Sequence, residues 1–296
     1  MQRPGAVTQT GGAGVPPLPA GASAGGHAFY RPRPPLDQAV DFFWVATTYA
    51  AQAPRERVLP SGALALVINL GAERLEVYER DDAPDPVDLG GAVLCGGRAR
   101  PLVIGTSVLE ATMGVHFKPG GARPFFDVPV GELEDRVFSL GSVWGARGAG
   151  LRDRLLEAPT DAERVALLER ALLERARGPL ATLPPIRAAL DAFEDPGLAS
   201  VADVRDRLDL SPKRLLQLFY DEVGLTPKAY WRVRRFRAAL ARLDRKGASG
   251  AAVAAALGYA DQAHFIRECR ALSGGCPREY LAGRRAGNYD HVAIRG

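Results

Sequence analysis

The hydrophobic positions change period once along this chain. Between about residues 29 and 126 they alternate or fall in short runs: Leu64, Leu66, Ile68 and Leu70, then Leu75, Val77 and Tyr78, then 93–95, 102–104 and 115–117. A period of two puts alternate side chains on opposite faces of a strand. Pro60-Ser61-Gly62, Asn69-Leu70-Gly71, Gly96-Gly97 and Pro119-Gly120-Gly121 separate the runs with turn formers, so the spacing predicts a small sandwich or barrel. Residues 37–44 fit a helix or a strand equally. After Val130 the period becomes helical. Leu133, Val137 and Leu140 mark one segment, and Leu151, Leu155 and Leu156 a second. A third starts at Thr160, an N-cap with Glu163 three residues on, and runs through Val165, Leu168, Leu172 and Leu173. Gly178-Pro179 and Pro184-Pro185 then break the chain, and from Ile186 onward everything reads as short helices. Residues 1–26, rich in Gly, Ala and Pro without a period, read as a disordered tail. The fold class is α+β in two domains: a β-rich barrel or sandwich with helices over 27–180, and an all-α domain over 181–285. A tail follows over 286–296.

The last hundred residues contain a repeat. Ser200, Val204 and Leu208 recur 49 residues later as Ser249, Val253 and Leu257. One extra residue in the second turn then moves the offset to 50. Ser211 matches Asp261, Leu215 matches Phe265, Gly224 matches Gly274, Pro227 matches Pro277 and Tyr230 matches Tyr280. Each match has a structural task. Ser200 and Ser249 cap a short helix, Ser211 and Asp261 cap the next, and Pro212 takes the first helical position, where a missing N–H costs nothing. Gly224 and Gly274 suit a left-handed stop, and Pro227 and Pro277 open another helix. Two short helices joined by a tight turn make a helix-turn-helix, and there are two. Between them, residues 227–243 read as one basic helix, roughly 26 Å long at 1.5 Å per residue. That length holds two recognition helices about one DNA turn, ~34 Å, apart.

Helical geometry sorts the side chains. With Leu215 inward, Leu218 and Phe219 share its side; Lys213, Gln217 and Tyr220 point away, flanked by Arg214 and Leu216. In the second unit Phe265 and Cys269 point in, while Ala263, Arg267 and Arg270 point out, flanked by Gln262 and Ile266. Arg232, Arg234, Arg235 and Arg237 ride the long helix, each as a phosphate contact or as part of a solvated basic face. Of these, Arg234 and Arg235 are taken as DNA-contact candidates.

The motifs L-S-P-K-R-L-L-Q-L-F-Y-D-E-V-G-L-T-P-K-A-Y and L-G-Y-A-D-Q-A-H-F-I-R-E-C-R-A-L-S-G-G-C-P-R-E-Y make residues 200–281 resemble the DNA-binding domain of AraC-type (AraC/XylS) transcriptional regulators. The resemblance implies double-stranded DNA as partner, RNA polymerase as a further one, and base reading from the outward slots. Arg267 suits guanine, Gln217 and Gln262 suit adenine, and Ala263 or Ile266 suits a thymine methyl. Three residues depart from the pattern: Ala263 before His-Phe, Cys269 in place of a core Phe, and Cys276 before Pro277. Upstream, L-P-S-G-A-L-A-L-V-I-N-L-G and V-H-F-K-P-G-G-A-R-P-F-F, with Trp144-Gly145 later, resemble an N-terminal domain of unknown function often fused to such regulators. It implies a sensor or dimerisation role, with a small-molecule effector or a homodimer, and identifies no ligand.

Charge and composition sharpen this reading. Net charge is +4 over 296 residues, but from Pro196 onward 18 basic residues face 10 acidic ones, which points that third towards a polyanion. Apolar runs such as 63–68 are far too short to cross a bilayer, and no membrane partner is expected. Three cysteines without zinc-ligand spacing, and an N-terminus lacking the apolar core of a signal peptide, lead to an expected place in the reducing cytoplasm, on the nucleoid. No catalytic residue, metal or cofactor is expected. Only His27 and His116 lie in the N-terminal region, and no phosphate-loop motif opens a helix after a strand. His264 is read as structural or phosphate-directed, Tyr230 and Tyr280 as packing residues, and Cys95 as a buried strand residue rather than a thiol sensor. The alternative to a regulator is a ligand-binding barrel or enzyme with a helical appendage.

Overall fold

The computed structural model describes residues 27–49, 51–195, 198, 200–243, 249–285 and 288–294; the tail expected over 1–26 lies outside them. The strands of the first part are β1 (His27–Tyr30), β2 (Val40–Ala46), β3 (Arg55–Val58), β4 (Ala65–Asn69), β5 (Glu76–Tyr78), β6 (Val87–Asp88), β7 (Ala92–Cys95), β8 (Leu102–Gly105), β9 (Thr112–Phe117) and β10 (Val137–Ser139). All pairings are antiparallel, and two sheets result. One runs β1-β2-β9-β4-β7-β10; the other contains β3-β8-β5-β6. Alternation decides what each face meets. Leu66, Ile68, Leu94, Met113, Val115, Phe117, Phe43 and Val45 pack under the helices, whereas Val67, Val93 and Cys95 turn to the other sheet and meet Leu75, Ile104 and Leu109. The domain is a sandwich with helices on one outer face.

Those helices are α1 (Leu140–Trp144), α2 (Ala146–Ala149), α3 (Leu151–Glu157) and α4 (Asp161–Arg175), and Leu151, Leu155, Leu168 and Leu172 close the core. Thr160 caps α4 by accepting the Glu163 N–H. One helical expectation is corrected. Leu133 ends a 3-10 turn, and Val137 lies in β10, opposite Cys95 in β7. The i, i+4 spacing suited a helix, but β7 offers an open edge, and pairing with it overrides local pattern. Residues 37–44 resolve into a short 3-10 turn followed by β2.

The second part comprises α5 (Pro184–Phe193), α6 (Val201–Arg207), α7 (Pro212–Glu222), α8 (Pro227–Leu243), α9 (Gly250–Ala256), α10 (Gln262–Ser273) and α11 (Pro277–Gly283). Every repeated cap forms. Ser200, Ser211, Ser249 and Asp261 each accept an N–H three residues on, and Ser200 closes a full capping box with Asp203. Gly224 and Gly274 sit at φ +82° and +73°, the left-handed stop that favours glycine. Helix α8 feeds two cores. Its Tyr230 packs edge-on to Phe193 and Phe219, with centroids 5.7 and 5.8 Å away, among Leu215, Leu218 and Val223. Its Val233, Phe236 and Leu240 pack with Phe265, Cys269, Leu272 and Tyr280.

The chain does not end in the expected tail. Arg284–Arg285 (β11) and Asn288–Ala293 (β12) are strands, and β12 pairs antiparallel with β3, extending the second sheet to β11-β12-β3-β8-β5-β6. The segment after residue 181 is therefore not all-α. Its last strand belongs to the sheet of the other domain, because β3 presents an unpaired edge that a strand can satisfy.

Candidate nucleic-acid interface

Helices α7 and α10 are the second helices of their helix-turn-helix units. On α7 Leu215, Leu218 and Phe219 are buried, while Lys213, Arg214, Leu216, Gln217 and Tyr220 are exposed, Leu216 being 49% exposed despite its apolar side chain. On α10 Phe265 and Cys269 are buried; Gln262, Ala263, Arg267 and Arg270 are exposed and Ile266 is half-buried. The inward and outward sets are those that helical geometry gave. Two of the exposed residues already have partners. The Gln217 amide donates to Asp221 Oδ1 at 2.8 Å, and the Tyr220 ring lies against Gly131, where an added Cβ would come within 2.4 Å of it.

The arginines of α8 are placed differently from the phosphate-contact reading. Arg234 pairs with Glu194, the residue that caps the C-terminal end of α5, with only 12% of the Arg234 side chain exposed. Arg235 is 9% exposed and donates from a guanidinium nitrogen to Glu268 Oε1 at 2.9 Å, with Arg232 Nε reaching Glu268 Oε2 at 3.1 Å. The Arg235 guanidinium also sits 4.0 Å from the centre of the Tyr259 ring and 4.9 Å from that of Trp231. Arg237 pairs with Asp290 of β12. Burial would lower the Arg237 pKa, but the Asp290 carboxylate outweighs it and the shift is upward. Arg234 and Arg235 are therefore held by acidic partners rather than presented on a free face. The sequence reading missed Glu268, a buried carboxylate on α10 that docks this helix on α8. Its signal was faint: an acid directly before the inward Cys269, opposite a helix with arginines three residues apart.

Other candidates are placed plainly. His264 Nδ1 accepts the Ala260 N–H at 3.4 Å, and its ring meets Tyr259 edge-on with centroids 5.3 Å apart. Tyr230 and Tyr280 are buried. Cys269 is buried, whereas Cys95 in β7 is half-buried rather than fully buried as expected; burial pushes the Cys95 thiol up to about 11 and the Cys269 thiol up to about 12. Among the described residues no helix is long and apolar enough to cross a membrane.

Residues 205–283 match a family described as a helix-turn-helix domain, of the AraC type, and residues 28–139 match a domain of unknown function, DUF6597. The match makes residues 205–283 a helix-turn-helix domain of the AraC type and supports a DNA-binding transcription regulator. Comparison with curated proteins finds no relative. Among solved structures the chain is similar to ToxT from Vibrio cholerae, with a TM-score of 0.48 at 9% identity over 81% of this chain and 98% of that one. A form of ToxT bound to an unsaturated fatty acid, from strain SCE256, gives a TM-score of 0.45 at 8% identity, over 88% of this chain and 96% of that one. At this distance the likeness assigns the present chain no ligand.

Proposed function

We propose that α7 and α10 read one asymmetric DNA site through successive major grooves, with contacted segments about 10–10.5 base pairs apart. The observation that carries this reading is that both helices are seated on one uninterrupted 17-residue helix, each with its outward side chains exposed. Arg267 pairs bidentately with guanine, and Gln217 and Gln262 read adenine. Gln217 must first give up Asp221. Lys213, Arg214 and Arg270 lie on the rim, and Leu216, Ala263 and Ile266 offer apolar contact to thymine methyls. The sandwich domain controls this reading, through a small-molecule effector or by making a homodimer, and RNA polymerase is the partner downstream. The setting is the cytoplasmic nucleoid.

Methylation interference on a fragment selected from genomic DNA tests the geometry. Two interference clusters about one helical turn apart on one face are expected. Clusters confined to a single groove would leave one reading unit and remove the two-groove account.

A further inference from the structure

The C-terminal strand joins the two domains at the helices that read DNA. Three sets of contacts meet there. First, β12 completes the edge of β3: Leu59 N–H donates to the Asp290 carbonyl at 2.8 Å and Ile294 N–H to the Arg55 carbonyl at 3.0 Å. Second, side chains of β12 reach both domains. Asp290 holds Arg237 of α8, His291 Nδ1 lies 3.1 Å from Glu56 Oε2 and 2.9 Å from Tyr49 Oη, and Val292 is buried in the α8–α10 core beside Leu59. Third, the sandwich abuts the C-terminal end of each recognition helix. Arg57 of β3 lies so close to Gly274 that an added Cβ there would come within 2.4 Å of its Nε. At the other helix, Gly131 meets Tyr220, and a Cβ on Gly97 would come within 2.9 Å of the Gly224 carbonyl.

Two recognition helices that enter successive major grooves must adjust their spacing and tilt to the DNA, which contacts holding their far ends oppose. Here the Tyr220 end of α7 and the Gly274 end of α10 are both occupied by the sandwich. We infer that β12 is an intramolecular clasp: paired with β3, it holds the DNA-binding helices against the sandwich domain in a restrained state, and its release increases DNA affinity. The occupant of the β3 edge is this chain's own residues 288–294, and the linkage works both ways, since DNA that needs the open state lowers the occupancy of the clasp. The inference rests on α7 and α10 being the DNA-reading helices.

The test uses the full chain and two opposed variants. Val292→Asp places a charge in the buried seat of the strand and opens the clasp. Val58→Cys with His291→Cys, residues that face each other in register, closes it by a disulfide under oxidising conditions. Hydrogen exchange at Leu59 and Ile294 reports the clasp itself, and fluorescence anisotropy on a selected DNA fragment reports affinity. Loss of protection in Val292→Asp with a gain of about tenfold in affinity is expected, together with a loss of about tenfold in the oxidised cysteine pair that reductant restores. Lost protection with unchanged or weaker binding would overturn the clasp, making β12 a structural element alone. An unmodified chain that binds no selected fragment would instead overturn the reading of α7 and α10, a failure visible separately from the exchange data. If Val292→Asp fails to fold, the reductant-reversible change in the cysteine pair decides alone, and equal affinity in its two redox states overturns the inference.

Discussion

At the scale of single residues, charge in the DNA-binding part divides into two populations. Arg267 and Arg270 are exposed on α10, whereas Arg234, Arg235 and Arg237 are buried against Glu194, Glu268 and Asp290. A guanidinium buried beside a carboxylate is committed to that partner, since removing either leaves an uncompensated charge. Arg267→Ala is expected to cost about 1–3 kcal/mol of DNA binding and to relax selectivity at one base pair, with the melting temperature unchanged. Competition among single-base variants of the selected site measures it. Arg235→Met should do the reverse. It leaves Glu268 with Arg232 alone, costs roughly 1–3 kcal/mol of stability and leaves base preference intact, as urea titration followed by circular dichroism can check. Equal stability in that variant would mean that Arg232 suffices to hold the carboxylate.

At the scale of elements, the repeat works through its caps. Each helix-turn-helix unit is two helices of 7–12 residues, too short to be stable in isolation and dependent on caps and packing. Removing the capping hydroxyl in Ser200→Ala or Ser249→Ala is expected to cost about 0.5–2 kcal/mol, with the larger loss at Ser200, where the capping box with Asp203 is complete. Thermal unfolding of the two variants side by side checks the ranking, and a larger loss at Ser249 would reverse it. Cys269 is fully packed, at 1% exposure, where the related pattern has a Phe. Cys269→Ala removes one buried sulfur and should be tolerated better than Phe265→Ala, for which about 3–5 kcal/mol is expected.

At the scale of the whole molecule, the joint between the domains is polar and titratable. Burial alone would push the Glu56 carboxyl up, but hydrogen bonds from His291, Tyr49 and the Gln52 N–H outweigh it and hold the pKa below the usual carboxylate range. For Asp290 burial also pushes up, and Arg237, with smaller help from His291 and His116, reverses the direction. Burial lowers the His116 pKa, opposed by Asp41 and Asp290 and aided by Arg237. A folded-state pKa below the unfolded one means that the unfolded chain binds more protons, so stability falls as pH falls. The His116 contribution begins to be lost below pH ~6.5, and those of Glu56 and Asp290 below pH ~4.3 and ~3.9. Acidification should therefore loosen the β3–β12 joint in two stages, and hydrogen exchange at Leu59 from pH 7 to about 2.5 follows it. Protection that stayed level through pH 5 in the native chain, and likewise in His116→Gln, would show that His116 does not act on the joint.

Much of the fold and the site could be read from the sequence, because the information was local. Capping residues, proline at the first helical position, glycine at the left-handed stop and a 3.6-residue hydrophobic period are each settled within a few positions. Together they fixed Pro227–Leu243 to the residue and sorted Leu215 from Lys213 and Phe265 from Arg267. Strand β4 announced itself by alternation, and β7, β8 and β9 by short apolar runs between turn formers. What sequence could not decide depended on distant partners. Residues 137–139 and 288–293 carry weak patterns of their own and become strands because β7 and β3 offer edges to be paired. Arg234, Arg235 and Arg237 look identical along a basic helix until the carboxylates of Glu194, Glu268 and Asp290 arrive from other elements. A side chain's own helix fixes which way it points; only the folded chain fixes what charge it meets there. That charge decides whether an arginine faces a phosphate or its own protein.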